Sequence, residues 1–264
     1  MEAMSTVNTD RVAGVVNDAL AALHEVLERH RVTEQEWHAV LAFLTSVGRA
    51  DEFILLSDVT RTSVLIDTME HGGDDSGATA SDVEGPLYVD DPPWRDKPVR
   101  VYEDYQGMGD DADVLLVRGS VTATDGTPLP DAVIDIWQTG PNGGYDIWDE
   151  RQPEFNFRGR WRVEDEGGAY EFQTMLPQPY TVPTEGPVGR YLEAVGQHPW
   201  RPAHIHFKVT APGHHPLVTQ VFFPGDPYLE NDTIGAVKPA LVLPVQPEGD
   251  HLLCPFDIVL RPAA

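Results

Sequence analysis

The chain has 264 residues, 41% of them hydrophobic and 9% aromatic, enough for one large domain or a moderate domain with a small companion, which excludes wholesale disorder. Its net charge of −25, from 43 acidic against 18 basic residues, repels nucleic acid and anionic membranes. No run approaches the roughly 18 apolar residues of a membrane span, and a single cysteine, Cys254, excludes an internal disulfide and a Cys-built metal site. The polar start, Met1 to Asp10, lacks the basic and apolar regions of a secretory signal, so the expectation is a cytoplasmic protein without membrane insertion or a nucleic-acid partner. The acidity reads as a well-solvated surface, with adaptation to high salt as the alternative. An anionic ligand would then need local arginines or a metal.

The spacing predicts helices over residues 10 to 70. Val12, Val15, Val16, Leu20, Leu23, Val26 and Leu27 follow a period near 3.6 between Asp10 and His30. Thr33-Glu34-Gln35-Glu36 has the form of a capping box before Trp37, Val40, Leu41, Phe43 and Leu44. A third helix is expected from Phe53 to Met69. Such stripes ordinarily pack helix against helix, and an oligomer interface is the other reading. His71 to Ser81, rich in small residues, reads as a flexible linker.

Beyond it, β-prone runs recur between turn signals: 114–123, 132–137, 169–175, 204–210, 217–223 and 253–260. Asp125-Gly126, Asn142-Gly143-Gly144, Gly167-Gly168 and Pro224-Gly225 punctuate them, and 23 prolines and 23 glycines suit a chain of many turns. The expected fold class is mainly β: a β-sandwich domain over 81–264 with a helical N-terminal domain over 1–80. No internal repeat, P-loop or dinucleotide-binding glycine pattern is present.

In Arg201-Pro202-Ala203-His204-Ile205-His206-Phe207-Lys208-Val209, the two histidines stand two apart on a strand and so share a face, with Cα atoms roughly 6.5–7 Å apart. Both can reach one metal ion, while Ile205 and Phe207 bury the opposite face. Alone, such a pair occurs more often without a metal than with one. Two tyrosines, Tyr145 after Asn142-Gly143-Gly144 and Tyr180 after Gln178-Pro179, sit in glycine- and proline-rich loops. Either on its own reads as an ordinary half-buried tyrosine.

Taken in order, Glu84-Gly85-Pro86-Leu87-Tyr88-Val89, Ile134-Asp135-Ile136-Trp137 leading to Tyr145, Pro179-Tyr180 followed by Gly186-Pro187, and Arg201 to His206 resemble the intradiol ring-cleaving dioxygenases. That group comprises the catechol, chlorocatechol and hydroxyquinol 1,2-dioxygenases. The resemblance spans about residues 52–260. It implies a mononuclear non-haem Fe(III) held by Tyr145, Tyr180, His204 and His206. Phenolate is a hard anionic donor that favours the ferric state, unlike the two-histidine, one-carboxylate set of Fe(II) oxygenases. It further implies that an aromatic diol and O2 are the substrates and that a cis,cis-muconate is the product. Tyr180 would leave the metal and help take up the substrate protons. Arg201 would stabilise charge developing on the ring, and Gln220 would stand near the iron.

The pocket residues implied by the same resemblance are Leu55, Asp58, Val83, Pro86, Leu87, Val182, Pro183 and Ile234. Glu84 to Tyr88 is similar to the catechol enzymes, whereas Asp58 departs from the proline that many of those carry. Tyr180 to Pro183 and Gly186 to Gly189 look like the hydroxyquinol and chlorocatechol branches. An acidic side chain facing the ring can accept a hydrogen bond from a third hydroxyl, or it can pair with a nearby arginine instead. The balance leans to catechol and hydroxyquinol, with chlorocatechol as the alternative. The helical segment implies a homodimer and, more weakly, a bound phospholipid. The rival from another class is a non-catalytic, transthyretin-like β-sandwich that binds without iron. A second rival, extradiol cleavage, needs a carboxylate ligand and Fe(II).

Overall fold

The computed structural model describes residues 8–72, 76–109 and 113–263. The chain divides into two compact units, Met1–Ala50 and Asp51–Ala264. The first holds helices α1 (Thr9–His30) and α2 (Glu34–Arg49). Asn8 caps α1 by accepting from the N–H groups of Asp10 and Arg11, and Arg31 ends it in the left-handed region. The capping box forms: Thr33 N–H donates to Glu36 Oε2 at 2.7 Å, and Glu36 N–H donates to Thr33 Oγ1 at 3.3 Å.

The apolar stripes of these helices are not core within the single chain. No residue of α1 is buried and only Val47 of α2 is. Val15, Leu20, Val26, Leu41 and Leu44 stand exposed.

The second unit opens with two short helices, α3 (Phe53–Val59) and α4 (Thr62–His71), where one long helix is expected from the sequence. The break has a local cause. Thr60 Oγ1 turns back onto the carbonyls of Leu56 and Ser57, and Arg61 adopts φ 61, outside the helical region. The predicted linker lies partly outside the described residues, at 73–75. Its later part is anchored rather than loose. Thr79 N–H donates to the Val259 carbonyl, Asp82 N–H to the Val218 carbonyl, and Thr219 Oγ1 to the Ala80 carbonyl.

The described residues form twelve strands: β1 (Val99–Arg100), β2 (Val114–Ala123), β3 (Val133–Gln138), β4 (Arg158–Arg162), β5 (Ala169–Met175), β6 (Tyr180–Thr181), β7 (Trp200–Arg201), β8 (His204–Thr210), β9 (Leu217–Phe222), β10 (Gln246–Glu248), β11 (His251–Pro255) and β12 (Ile258–Leu260). A fifth helix, α5 (Pro187–Ala194), lies between β6 and β7. One sheet runs β1-β5-β2-β11-β10 with β12 also on β2. The second runs β4-β3-β8-β9, and β6 and β7 make a two-stranded ribbon.

The expected mainly β sandwich with helices at its N-terminal end is what forms. Leu115, Val117 and Phe172 of the first sheet join Ile134, Ile136, Ile205 and Phe207 of the second in one core. Each such buried side chain contributes roughly 1.5–3 kcal/mol. Other elements differ from expectation, and β1, β4, β6, β7 and β10 match none of the predicted runs. The predicted last strand is two, separated at Phe256-Asp257. The Arg-rich β4 carries no apolar alternation, and α5 follows a stretch of turn residues.

Candidate active site

Alternation along β8 assigns its side chains: Ile205, Phe207 and Val209 enter the core, and His204 and His206 project from the other face. Register completes the neighbourhood. His206 stands opposite Gln220 on β9 and opposite Trp137 on β3, while Arg201 on β7 pairs with Tyr180 on β6.

Tyr145 is carried by the turn after β3. That turn is closed by Gly140 N–H to the Gly144 carbonyl and braced by Gln152 Nε2 on the same carbonyl at 2.8 Å. Gly143, at φ +77, lets the turn approach Pro179: a Cβ there would stand 3.0 Å from the Pro179 carbonyl oxygen. This close approach brings the two tyrosine loops together.

The four predicted ligand side chains form one buried cluster. The Tyr145 and Tyr180 rings lie 5.4 Å apart, Tyr180 and His204 5.5 Å, and His204 and His206 4.7 Å. The two Nε2 atoms are 3.1 Å apart. His204 Nδ1 is 2.7 Å from the Pro202 carbonyl, so Nδ1 carries the proton and Nε2 presents its lone pair. Burial, reinforced by the Arg201 charge, holds both imidazoles well below their ordinary pKa and therefore neutral. Burial pushes the phenols of Tyr145 and Tyr180 up, and Arg201 opposes it at both.

Two neutral imidazoles and two phenols, with the buried Tyr145 hydroxyl lacking a hydrogen-bond partner among the described residues, suit a hard cation that would turn the phenols into phenolates. An Nε2 separation of 3.1 Å fits two neighbouring ligands, each about 2 Å from one ion. Among the described residues no three His, Cys, Asp or Glu side chains gather, so this donor set holds no carboxylate.

Arg201 is buried, and its guanidinium is divided among three partners. It donates to Asp232 from Nε at 3.2 Å and from Nη2 at 3.3 Å. It also donates to Gln220 Oε1 at 2.9 Å and lies 3.0 Å from His204 Nε2 through Nη1. Gln220 is oriented at its other end, donating from Nε2 to the Val83 carbonyl at 3.0 Å.

A cavity opens beside Tyr180, Arg201 and His206. Leu55 and Asp58 of α3, Pro86, Leu87, Val182, Pro183 and Ile234 wall it. Val83 is not among the residues that wall it; it is buried, and its carbonyl accepts from Gln220 Nε2. Burial raises the Asp58 carboxyl, with Ser63 and Arg201 opposing. With Arg201 engaged by Asp232, Gln220 and His204, Asp58 is not its direct partner.

Three features are invisible in the sequence pattern. Asp232 sits 31 positions from Arg201 in a turn with no periodic signal. Arg158, fully buried on β4, donates to Asp146 Oδ1 at 2.6 Å and to the Leu87 carbonyl at 2.7 Å, beside the Tyr145 ring. Trp137 stacks on His206 with ring centroids 4.6 Å apart and planes 5° from parallel. Only the register of β3 against β8 reveals that stack.

Two family descriptions match the chain: "Dioxygenase" over residues 83–262 and "Catechol dioxygenase N terminus" over 9–77. The hydroxyquinol 1,2-dioxygenase of Rhizobium sp. (strain MTP-10005) is 41% identical over 230 residues, covering 85% of this chain and 76% of that protein. The chlorocatechol 1,2-dioxygenase of Cupriavidus pinatubonensis is 36% identical over 253 residues, 96% of each. Among solved structures, the 3-chlorocatechol 1,2-dioxygenase of Rhodococcus opacus 1CP aligns at a TM-score of 0.86 and 32% identity, covering 97% of this chain and all of that one.

Proposed function

The chain belongs to the intradiol ring-cleaving dioxygenase family, and from that premise we propose that it opens a catechol-type ring between its two hydroxylated carbons, incorporating O2 to give a cis,cis-muconate. The observation that carries this reading is the cluster of two histidines, with Nε2 atoms 3.1 Å apart, and two buried tyrosines without a carboxylate. Tyr145, Tyr180, His204 and His206 would hold a non-haem Fe(III). When bound, that ion supplies the Lewis acidity that lets a catechol lose its phenolic protons near neutral pH and draws dioxygen chemistry to the ring.

The chain's own groups do the rest. Tyr180 faces the cavity and pairs with Arg201 across β6 and β7, which suits it to accept a substrate proton. Arg201, its charge kept in place by Asp232, offsets negative charge developing on the ring. Gln220 Oε1 accepts from Nη2, the same nitrogen that Asp232 Oδ2 engages, and so helps fix the guanidinium. Leu55, Leu87, Val182 and Ile234 exclude water, and Val83 acts through Gln220.

For the substrate class, Glu84 to Tyr88 supports catechol and Asp58 supports hydroxyquinol. Asp58 is buried on the cavity wall, its carboxyl raised by burial against a Ser63 hydrogen bond and the nearby Arg201 charge, where a third hydroxyl on the ring would meet it. Chlorocatechol is the second reading, supported by relatives at 36% identity over nearly the whole chain. A panel of catechol, hydroxyquinol and 4-chlorocatechol ranked by kcat/KM tests this. The expected order has hydroxyquinol or catechol first, and 4-chlorocatechol first would overturn it.

No helix among the described residues is long and apolar enough to cross a membrane. The buried free Cys254 fits a reducing cytoplasm. We assign residues 1–80 to assembly and 81–264 to catalysis, with α3 lending Leu55 and Asp58 to the pocket. The exposed apolar residues of α1 and α2 support a homodimer interface that would also hold a phospholipid chain. Sedimentation velocity and lipid extraction of the purified protein test the two.

A further inference from the structure

The two histidines of the site are held in different ways. His204 is fixed by its Nδ1 hydrogen bond to the Pro202 carbonyl at 2.7 Å. His206 Nδ1 is buried and has no hydrogen-bond partner among the described residues. Imidazoles that ligate metals almost always donate that second nitrogen to an oxygen, which sets the ring plane and the tautomer. His206 lacks this device. In its place stands the Trp137 indole, stacked face to face at 4.6 Å and 5°.

The stack is built into the sheet. Trp137 and His206 are directly opposite in the β3–β8 ladder, the closest relationship two side chains on one face can have. The indole is itself confined by packing, being 1% exposed. Tyr88 lies against it at 4.8 Å. That tyrosine is pinned at its hydroxyl, which donates to Asp135 Oδ2 at 3.2 Å, and over its face, where Lys208 Nζ stands 4.1 Å from the ring centre. A rigid column therefore ends on the imidazole plane.

The geometry points to Trp137 as the positioning residue of His206: the stacked indole holds the imidazole plane in place of the missing Nδ1 hydrogen bond. Resting on the Fe(III) reading of the site, this means that loss of the indole face lets the ring rotate about its Cβ–Cγ bond. Nε2 then no longer points where His204 Nε2 points.

The test compares Trp137→Leu and Trp137→Phe with Phe172→Leu, a core control that packs through Phe207 on the face of β8 opposite the histidines. Each metal-free protein is titrated with iron, and the ferric spin-resonance spectrum and visible charge-transfer band are recorded. Trp137→Leu should weaken iron binding roughly 10- to 100-fold and broaden the ferric signal, the scale of losing an outer-shell orienting group. Trp137→Phe, which keeps a smaller ring, should fall between it and wild type, and Phe172→Leu should bind iron as wild type does. Trp137→Leu with wild-type affinity and an unchanged spectrum, or a loss equal to that of Phe172→Leu, overturns the role. Should Trp137→Leu not fold, Trp137→Phe decides: wild-type affinity and spectrum overturn the role, and a partial loss supports it. If wild-type protein binds no iron, the failure lies in the site's reading and not in Trp137.

Discussion

Asp232 grips Arg201 with both carboxylate oxygens, Oδ1 on Nε at 3.2 Å and Oδ2 on Nη2 at 3.3 Å, and both side chains are buried. Burial alone would pull the guanidinium pKa down, but the Asp232 carboxylate and the Tyr180 phenol more than offset it. Breaking such a pair from one side strands a buried charge. Asp232→Ala should therefore destabilise the protein by about 3–5 kcal/mol in urea unfolding. A cost under about 1 kcal/mol would mean that solvent or another acid replaces Asp232.

The histidines and tyrosines should separate by readout. His204→Ala should lose iron and the visible band together, and a variant with full iron would remove His204 from the ligand set. Tyr180→Phe should shift the band and lower kcat by about 10²- to 10⁴-fold, the range expected for a lost general base. Unchanged turnover would exclude Tyr180 from proton transfer.

Asp58 is the proposed discriminator on the cavity wall. Replacing it with Ala should lower the hydroxyquinol-to-catechol ratio of kcat/KM by about tenfold or more, the worth of one hydrogen bond to a charged group. An unmoved ratio would leave Asp58 a structural acid hydrogen-bonded to Ser63.

Burial lifts the Asp82 carboxyl to about 7, with the Val83 N–H and Arg201 opposing. The unfolded value is about 3.9, so between these limits the folded state binds more protons than the unfolded one. The stability from this group is fully present below pH of about 4 and is lost as pH rises through about 7. Asp82→Asn should match the wild-type melting temperature near pH 4 and exceed it by several degrees near pH 8. A gap independent of pH would contradict the buried titration.

Much of this site was legible because strand periodicity is local. His204 and His206 share a face for any register of β8, and Ile205 and Phe207 follow into the core. The tyrosines needed the resemblance, since nothing local distinguishes Tyr145 from an ordinary loop residue. Asp232, Arg158 and the partner of Trp137 could not be read, because they meet the site through tertiary pairing across 31 residues, through a buried arginine and through sheet register. The break between α3 and α4 was hidden for a different reason. Its apolar spacing runs on unbroken, while the Thr60 hydroxyl and the left-handed Arg61 end the helix.

The most direct test of the central claim is turnover of catechol by the iron-loaded protein under isotopically labelled dioxygen, with the product identified by mass spectrometry. The expected product is a cis,cis-muconate carrying both labelled atoms, formed by a protein with a visible charge-transfer band. A yellow ring-opened semialdehyde, or no product from protein that carries stoichiometric iron, would contradict it.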